Sequence, residues 1–168
     1  IACFSGIPGS GKTTIAKKLE KKYKGVRLNT HDIGRIIKKL IGESEKNREI
    51  QNKYQFWVLK NRPFRNGLIV LDSGIDRKYK EILKIAKTEG YKIFVIRLEI
   101  DEDLLRKRIS KREGKNAGNY FKEFDRWKKE FDEFGKKVKS NVVLANSLDL
   151  RRVYEKIDNF RQIRNIFK

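Results

Sequence analysis

The sequence has little of several things that would point to particular classes of protein. Its 168 residues include a single cysteine, Cys3, which cannot form an internal disulfide and lies in a predicted buried strand, so packing is its expected role. No apolar run approaches the length of a membrane span, and no charged-apolar-small signal segment opens the chain. We therefore expect a soluble, cytoplasmic protein that does not act at a membrane.

Acidic residues are also scarce relative to basic ones. The chain has 22 Asp and Glu residues against 42 Lys and Arg residues, which gives a formal net charge of +20. A field of that sign attracts polyanions and accelerates their encounter with the protein. The imbalance predicts RNA or DNA as a substrate or partner. The alternative is that lysines only coat solvated helix faces, as in the run at residues 17–22.

The most specific pattern that is present lies near the start of the chain, in GIPGSGKTT at residues 6–14. It fits the G-x-x-x-x-G-K-[ST] phosphate loop at every fixed position and stands between a predicted strand and a predicted helix. Glycines let the backbone wrap phosphate oxygens, while the lysine reaches the terminal phosphates and the threonine hydroxyl ligates Mg²⁺. The predicted nucleotide-binding residues here are Gly6, Pro8, Gly9, Ser10, Gly11, Lys12, Thr13 and Thr14.

The order of apolar runs and helical patterns predicts an α/β fold. Five short apolar runs, each followed by a helical pattern, predict a five-stranded parallel sheet in the three-layer architecture of P-loop NTPases of the nucleoside and nucleotide kinase type. A length of 168 residues favours one domain over the whole chain. The chain begins at Ile1, directly in the first predicted strand, so we expect it to be part of something longer.

Two further predicted strands deliver carboxylates to the same edge of the sheet. Asp32 follows the second strand, and Arg35 lies one helical turn further on the same face. Such a carboxylate can accept the proton of an attacking hydroxyl, and the arginine can hold an anionic group of the acceptor. The alternative is a helix cap with an exposed arginine. Asp72 closes a four-residue apolar run and resembles the end of a Walker B strand, which makes it a second metal ligand beside Thr13.

A basic helix and a polar, glycine-punctuated stretch predict a lid around residues 108–120. Arg108 and Arg112 stand four residues apart on one face, where both could neutralise triphosphate charge once a flexible loop at 113–119 folds down. A solvated basic face is the alternative. The aromatic residues from Tyr120 to Phe134 recur at helical spacing and predict core packing in one helix. A polar helix from about residue 44 to 59 carries further core candidates near its end: Tyr54, Phe56, Trp57 and Val58.

Taken in order, four stretches resemble the P-loop kinases of the polynucleotide 5′-hydroxyl kinase type. These are GIPGSGKTT, the D-x-x-R of Asp32 and Arg35, the strand ending at Asp72, and LRKRISKR at residues 105–112. The related kinase acting on seryl-tRNA has a similar layout. The resemblance implies that Asp32 is the general base, that Arg35 contacts substrate phosphate, and that Arg112 belongs to the lid and contacts the triphosphate.

The chain departs from that family after the third strand. The family often has Asp followed by Thr-Asn, whereas residues 72–75 read Asp-Ser-Gly-Ile. The substrate contact from that asparagine is therefore missing, and we expect a different specificity.

The sequence thus predicts a Mg²⁺-dependent kinase that transfers the γ-phosphate of ATP or GTP to a nucleic-acid hydroxyl, most simply the 5′-hydroxyl of RNA or DNA. One alternative is a kinase for a nucleotide, sugar or amino-acid derivative. Another is an RNA-binding NTPase or assembly factor, which would hydrolyse nucleotide without labelling RNA. The predicted catalytic residues are Lys12, Asp32 and Arg112; Arg108 and Arg112 join the nucleotide site, Arg35 and Asp72 the substrate site, and Thr13 and Asp72 the metal site.

Overall fold

A computed structural model describes residues 1–42, 47–61, 67–146 and 149–162. Five strands and eight α-helices alternate along these residues. The strands are β1 (Ala2–Ser5), β2 (Val26–Leu28), β3 (Ile69–Gly74), β4 (Phe94–Glu99) and β5 (Val142–Ala145). The helices are α1 (Lys12–Tyr23), α2 (Thr30–Ile41), α3 (Asn47–Lys60), α4 (Tyr79–Glu89), α5 (Glu102–Glu113), α6 (Ala117–Lys122), α7 (Phe124–Lys137) and α8 (Leu150–Gln162).

The strands form one parallel sheet in the order β2-β3-β1-β4-β5. Successive strand residues face opposite sides of a sheet, so these short, mostly apolar strands bury residues on both faces. Ala2 and Phe4 of β1 pack with α1 and α8, whereas Cys3 packs on the opposite face with α3 and α4. Parallel strands end at one edge, and the phosphate loop and the turns after β2 and β3 therefore meet there.

A third, smaller apolar cluster lies under the basic helix. It joins Ile7 of the phosphate loop to Leu105 and Ile109 of α5, and then to Ala117 of α6 and Phe124 of α7. The stretch 113–119 is helical and not an irregular loop as predicted, because residues Gly114–Asn116 form a 3-10 turn and α6 follows directly. Burial of Ala117 against α5 stabilises this helix, and local glycine content does not reveal that contact. The role of this region as a lid stays a prediction.

The aromatic stripe predicted as one helix is divided between α6 and α7, which meet at Glu123. Its core role is confirmed for Phe124, Phe131 and Phe134, which are buried. The core prediction also holds for Val58, but it is wrong for Tyr54 and Trp57, which are exposed. The predicted helix start at residue 44 and the predicted end of the last helix at 167 lie outside the described residues.

No helix among the described residues combines the length and apolarity that crossing a membrane requires.

Candidate active site

The phosphate loop connects β1 to α1 and is built on two glycines in the left-handed region. Gly9 has φ 90° and Gly11 has φ 97°, conformations that side chains larger than glycine rarely adopt. Gly9 is also packed closely, since an added Cβ would lie 3.3 Å from a side-chain carbon of Ile109. The basic helix α5 therefore lies directly against the loop. Ser10 is buried and Pro8 half-buried, while Thr14 is exposed in the first turn of α1.

Lys12 folds back onto the loop that it would serve. Its Nζ donates hydrogen bonds to the carbonyl oxygens of Gly6 (2.6 Å) and Ile7 (2.9 Å). The two carbonyl oxygens therefore accept the Lys12 N–H bonds that would otherwise be donated to phosphate oxygens. Burial lowers the pKa of Lys12 to about 8, against the opposing pull of the Asp76 and Asp72 carboxylates. Lys12 is consequently mostly protonated at neutral pH, and a modest rise in pH would deprotonate it.

Asp72 connects the loop to two neighbouring strands. Thr13 donates through Oγ1 to Asp72 Oδ1 at 2.9 Å. The other carboxylate oxygen accepts hydrogen bonds from Arg27 Nη1 and Asn29 Nδ2, both at 2.7 Å. Asp72 is buried, so these charged and polar partners satisfy a carboxylate that would otherwise be costly to bury.

The pair of Thr13 and Asp72 fits Mg²⁺. This ion is usually held by one or two carboxylates together with substrate phosphates and waters, and not by an all-protein cage. A hydroxyl and one carboxylate oxygen 2.9 Å apart beside the phosphate loop supply that donor set. Within the described ranges, no group of three or more His, Cys, Asp or Glu side chains is arranged to hold a metal ion. When bound, Mg²⁺ would neutralise charge on the phosphates.

Asp32 lies in the first turn of α2, where Arg35 and Arg27 hold it. Arg35 donates to Asp32 Oδ1, and Arg27 Nη2 lies 3.1 Å from Asp32 Oδ2. The hydrogen bond from Arg35 is the main cause that lowers the pKa of Asp32, and Arg27 adds to it. The carboxylate is therefore ionised at neutral pH. The predicted pairing of Asp32 and Arg35 on one helix face is present.

Arg27 is the residue of this site that sequence reasoning missed most plainly. Its guanidinium contacts Asp72 with one nitrogen, Asp32 with a second, and Glu20 with Nε at 3.2 Å. The side chain is only 15% exposed. Arg27 lies in β2. The clue to it in the sequence is that a charged residue interrupts a short predicted strand just before the predicted carboxylate. That pattern alone does not identify its partners.

Asp76 is a second missed residue, since it reads from the sequence as the first residue of a helix. It lies instead in the turn between β3 and α4, where Ser5 Oγ donates to its Oδ1 at 2.6 Å. The backbone N–H of Gly6 points at the other oxygen from 3.5 Å. Burial raises the pKa of Asp76, while Ser5 and Lys12 oppose that shift. Asp76 thus ties the first glycine of the phosphate loop to the third strand.

Three arginines of α5 point in different directions. Arg108 reaches the phosphate loop, where Nη1 lies 3.4 Å from the carbonyl oxygen of Gly9. Arg112 lies at the exposed end of the helix, pairs with Glu113, and approaches the ring of Tyr120. Arg106 points elsewhere, because it pairs with Glu102. The structure therefore places Arg108 on the loop and leaves Arg112 at the rim.

A family model described as "AAA domain" matches residues 1–134. The chain belongs to this family. The match covers the phosphate loop and every residue placed at the sheet edge. It ends within α7, so β5 and α8 lie outside it.

Relatives of this AAA-domain chain include adenylate kinases of Mesomycoplasma hyopneumoniae from strains 7448 and J. Each is 36% identical over 89 residues, which is 52% of the chain and 36% of the relative. The chain thus matches little more than a third of the length of these enzymes.

Solved structures resemble nearly the whole AAA-domain chain. A candidate kinase from Chloroflexus aurantiacus J-10-fl has a TM-score of 0.63 at 14% identity, over 94% of the chain and 96% of that structure. The APS kinase of Mycobacterium tuberculosis, in complex with AMPPNP and APS, has a TM-score of 0.61 at 13% identity over the same shares. The predicted fold class is confirmed. The matches bear out, at the level of the family, the prediction of a P-loop phosphotransferase, whereas a polynucleotide kinase type is not distinguished.

Proposed function

We propose that the chain transfers the γ-phosphoryl group of a nucleoside triphosphate, ATP or GTP, to a hydroxyl held beside Asp32. The observation that carries this proposal is the bridge made by Arg27. One guanidinium joins Asp72, which contacts Thr13 of the phosphate loop, to Asp32 in the turn after β2. This bridge supports a role in which the ionised Asp32 carboxylate acts close to the terminal phosphate.

The donor side would hold the triphosphate with charges that are already in position. Loop amides would bind the phosphates, and Lys12 would exchange its hydrogen bonds to the two loop carbonyl oxygens for bonds to phosphate oxygens. Arg108 lies on the loop, and Thr13 with Asp72 would hold Mg²⁺. Arg112 is near enough to the loop for its charge to lower the pKa of Lys12, and it would close over the triphosphate. Such positioned positive charges stabilise the charge that develops as the bond to the leaving diphosphate breaks.

The acceptor side would supply a base. The acceptor oxygen attacks the γ-phosphorus in line, its proton passes to the Asp32 carboxylate, and the bond between the γ-phosphorus and the bridging oxygen breaks. The products are a phosphomonoester and a nucleoside diphosphate. A hydroxyl acceptor needs such a base, whereas a phosphate acceptor has no proton that must be removed. Asp32 therefore favours a hydroxyl.

For the acceptor we propose a nucleic acid, through its 5′-hydroxyl. The net charge of +20 supports a polyanion, and Arg35 beside Asp32 would contact its phosphate. A small-molecule acceptor is the second candidate. It is favoured by the names of the relatives, adenylate kinase and APS kinase, neither of which refers to a nucleic acid.

A direct transfer assay separates these candidates. ATP and GTP labelled at the γ-phosphate are supplied to 5′-hydroxyl RNA and DNA oligonucleotides, nucleosides and small hydroxyl compounds. We expect label on an oligonucleotide that a 5′-phosphatase removes. Label only on a small compound would establish the second candidate, and hydrolysis without any label would contradict the kinase proposal. Asp32→Asn is the matched negative control, because it keeps the side-chain shape and removes the base.

A further inference from the structure

The exposed large apolar side chains of the described residues are concentrated in one place. All five belong to the hairpin formed by α2 and α3: Ile36, Leu40, Ile50, Tyr54 and Trp57. Single exposed apolar residues are normal on a protein surface, but a concentration of them marks a site of interaction. The hairpin joins β2 to β3 and therefore stands at the acceptor side of the sheet edge.

Tyr54 and Trp57 form an ordered pair within this surface. Their rings lie nearly parallel, with an interplanar angle of 26° and a distance of 6.2 Å between centroids. They are one helical turn apart, so they project from the same side of α3. Leu59 lies on the other side of α3, and it packs into the core with Val58, which lies at the flank. The side chains of Trp57 and Tyr54 are 57% and 47% exposed, which leaves ring surface open to solvent.

The pair lies on the helix that packs against α2, which carries the proposed base. Gly34, between Asp32 and Arg35, is one point of contact between α2 and α3, since an added Cβ there would lie 2.6 Å from Nε2 of Gln51. Tyr54 follows Gln51 by less than one turn of α3. Asp32 and the two rings therefore belong to one pair of packed helices, and a single strand that crosses this pair would contact both.

The charge around the pair is positive. The described part of the hairpin, residues 30–42 and 47–61, has six Lys or Arg residues against two acidic ones. Both acids have basic partners: Asp32 pairs with Arg27 and Arg35, and Glu49 pairs with Lys53 at 2.6 Å. Flat aromatic surface beside excess positive charge is the combination that binds single-stranded nucleic acid, because bases stack on the rings and phosphates meet the cations.

We propose that Tyr54 and Trp57 are a stacking platform for unpaired bases of a single-stranded nucleic acid whose 5′ end reaches Asp32. This inference rests on the proposed function and names a surface that would select its acceptor. Stacking on an aromatic face tolerates any base, so the platform predicts little sequence preference. It also predicts that the enzyme acts on single-stranded ends better than on ends buried in a duplex.

Binding is measured without triphosphate, so that it does not depend on catalysis. The chain has two tryptophans, and Trp127→Phe leaves Trp57 as the sole tryptophan reporter. A 5′-hydroxyl oligodeoxythymidylate is titrated while tryptophan fluorescence is followed. We expect quenching on binding. By fluorescence anisotropy of a labelled oligonucleotide, Trp57→Ala and Tyr54→Ala should each weaken binding about tenfold.

The salt dependence distinguishes stacking from charge. Neither aromatic residue is charged, so both variants should keep the wild-type slope of affinity against salt, whereas Lys53→Ala should reduce it. Trp127→Phe is the matched control. It changes the other tryptophan, in α7 and outside the hairpin, and should leave oligonucleotide binding unchanged. Thermal melting checks that every variant is folded.

Three results would overturn the platform. In the first, Trp57→Ala and Tyr54→Ala bind the oligonucleotide as tightly as the wild type. In the second, sedimentation shows a dimer that Trp57→Ala converts to a monomer, so that a second copy covers the rings. In the third, Trp57 responds to vesicles containing phosphatidylserine but not to oligonucleotide. Transfer of label to oligonucleotides is assayed separately, so loss of the platform and loss of the proposed reaction are distinguishable.

Discussion

The two halves of the candidate site are built in opposite ways. The donor half consists of the phosphate loop with Lys12 and Thr13, together with Asp72 and Asp76. Hydrogen bonds join these residues across β1, α1, β3 and the turn after β3. On the acceptor half, α2 and α3 expose apolar side chains, and Arg35 has 78% of its side chain in solvent. Preorganised charge is what stabilises a transition state, whereas an open surface is what a large acceptor needs.

This contrast teaches that binding of the two substrates has different costs. The side chains of the donor half are already held by hydrogen bonds to one another. Nucleotide binding should therefore lose little entropy in ordering them. The acceptor half presents long, solvated side chains that a ligand would have to order. Variants on the two halves should therefore separate nucleotide affinity from phosphoryl transfer.

The largest effect is expected from Lys12→Ala, which breaks the donor half. It removes the ammonium that faces the phosphates and leaves the carbonyl oxygens of Gly6 and Ile7 without that donor. Transfer should be abolished, and triphosphate affinity should fall as well. Calorimetric titration with a non-hydrolysable triphosphate and the transfer assay measure the two effects. Lys17→Ala, an exposed change in the same helix, should leave both intact; wild-type transfer by Lys12→Ala would remove Lys12 from the site.

Asp32→Asn should affect only the acceptor half. Loss of the base should slow transfer about 10²- to 10⁴-fold, while triphosphate affinity stays within a few-fold. Single-turnover rates and calorimetric titration provide the two numbers. Asp125→Asn, on the exposed side of α7, is the control with the same chemical change. Near-normal turnover by Asp32→Asn would show that Asp32 is not the base.

Asp72→Asn should weaken metal binding through the donor half. It removes one of the three carboxylates that pair with Arg27 and takes away the carboxylate beside Thr13. We expect the Mg²⁺ concentration for half-maximal transfer to rise about 10- to 100-fold, the range typical of altered metal-site residues. Removal of Mg²⁺ with a chelator should stop transfer by the wild type. An unchanged Mg²⁺ requirement in Asp72→Asn would exclude Asp72 as a ligand.

The smallest effect concerns pH and the donor half alone. Burial lowers the pKa of Lys12 to about 8, and a bound triphosphate would raise it by favouring the charged form. Triphosphate affinity should therefore be full below pH 8 and fall as pH rises through it, by about tenfold between pH 7 and 9. Titrations at pH 8.5 in buffers of different ionisation enthalpy should reveal proton uptake. A dissociation constant that is the same at pH 7 and 9 would contradict this titration.

The donor half was predictable because its signal is local. The phosphate-loop motif occupies eight consecutive residues, and its fixed positions are Gly6, Gly11, Lys12 and Thr13. The loop conformation follows from this local pattern. Asp72 was also predictable, since a carboxylate at the end of a buried strand reaches the sheet edge. Arg27 and Asp76 were not, because their contacts join residues 45 and 71 positions apart.

The acceptor half shows where helical periodicity reaches its limit. The spacing of Tyr54 and Trp57 correctly indicates a helix, but it does not say which side of α3 the core covers. That choice is made by Val58 and Leu59 packing against β3 and α4, which is a tertiary contact. The same reason explains the lid region, where Ala117 forms a helix because it is buried on α5.

Arg27 joins the two halves with a single side chain. Its guanidinium donates to both Asp72 and Asp32. A metal cation that binds Asp72 would weaken the Arg27–Asp72 interaction and so change the interaction of Arg27 with Asp32. Linkage between two sites is reciprocal: if metal alters the affinity for acceptor by some factor, acceptor alters the affinity for metal by the same factor. A shared arginine of this kind would make the coupling between metal and acceptor a property of the fold, located in the shortest strand of the sheet.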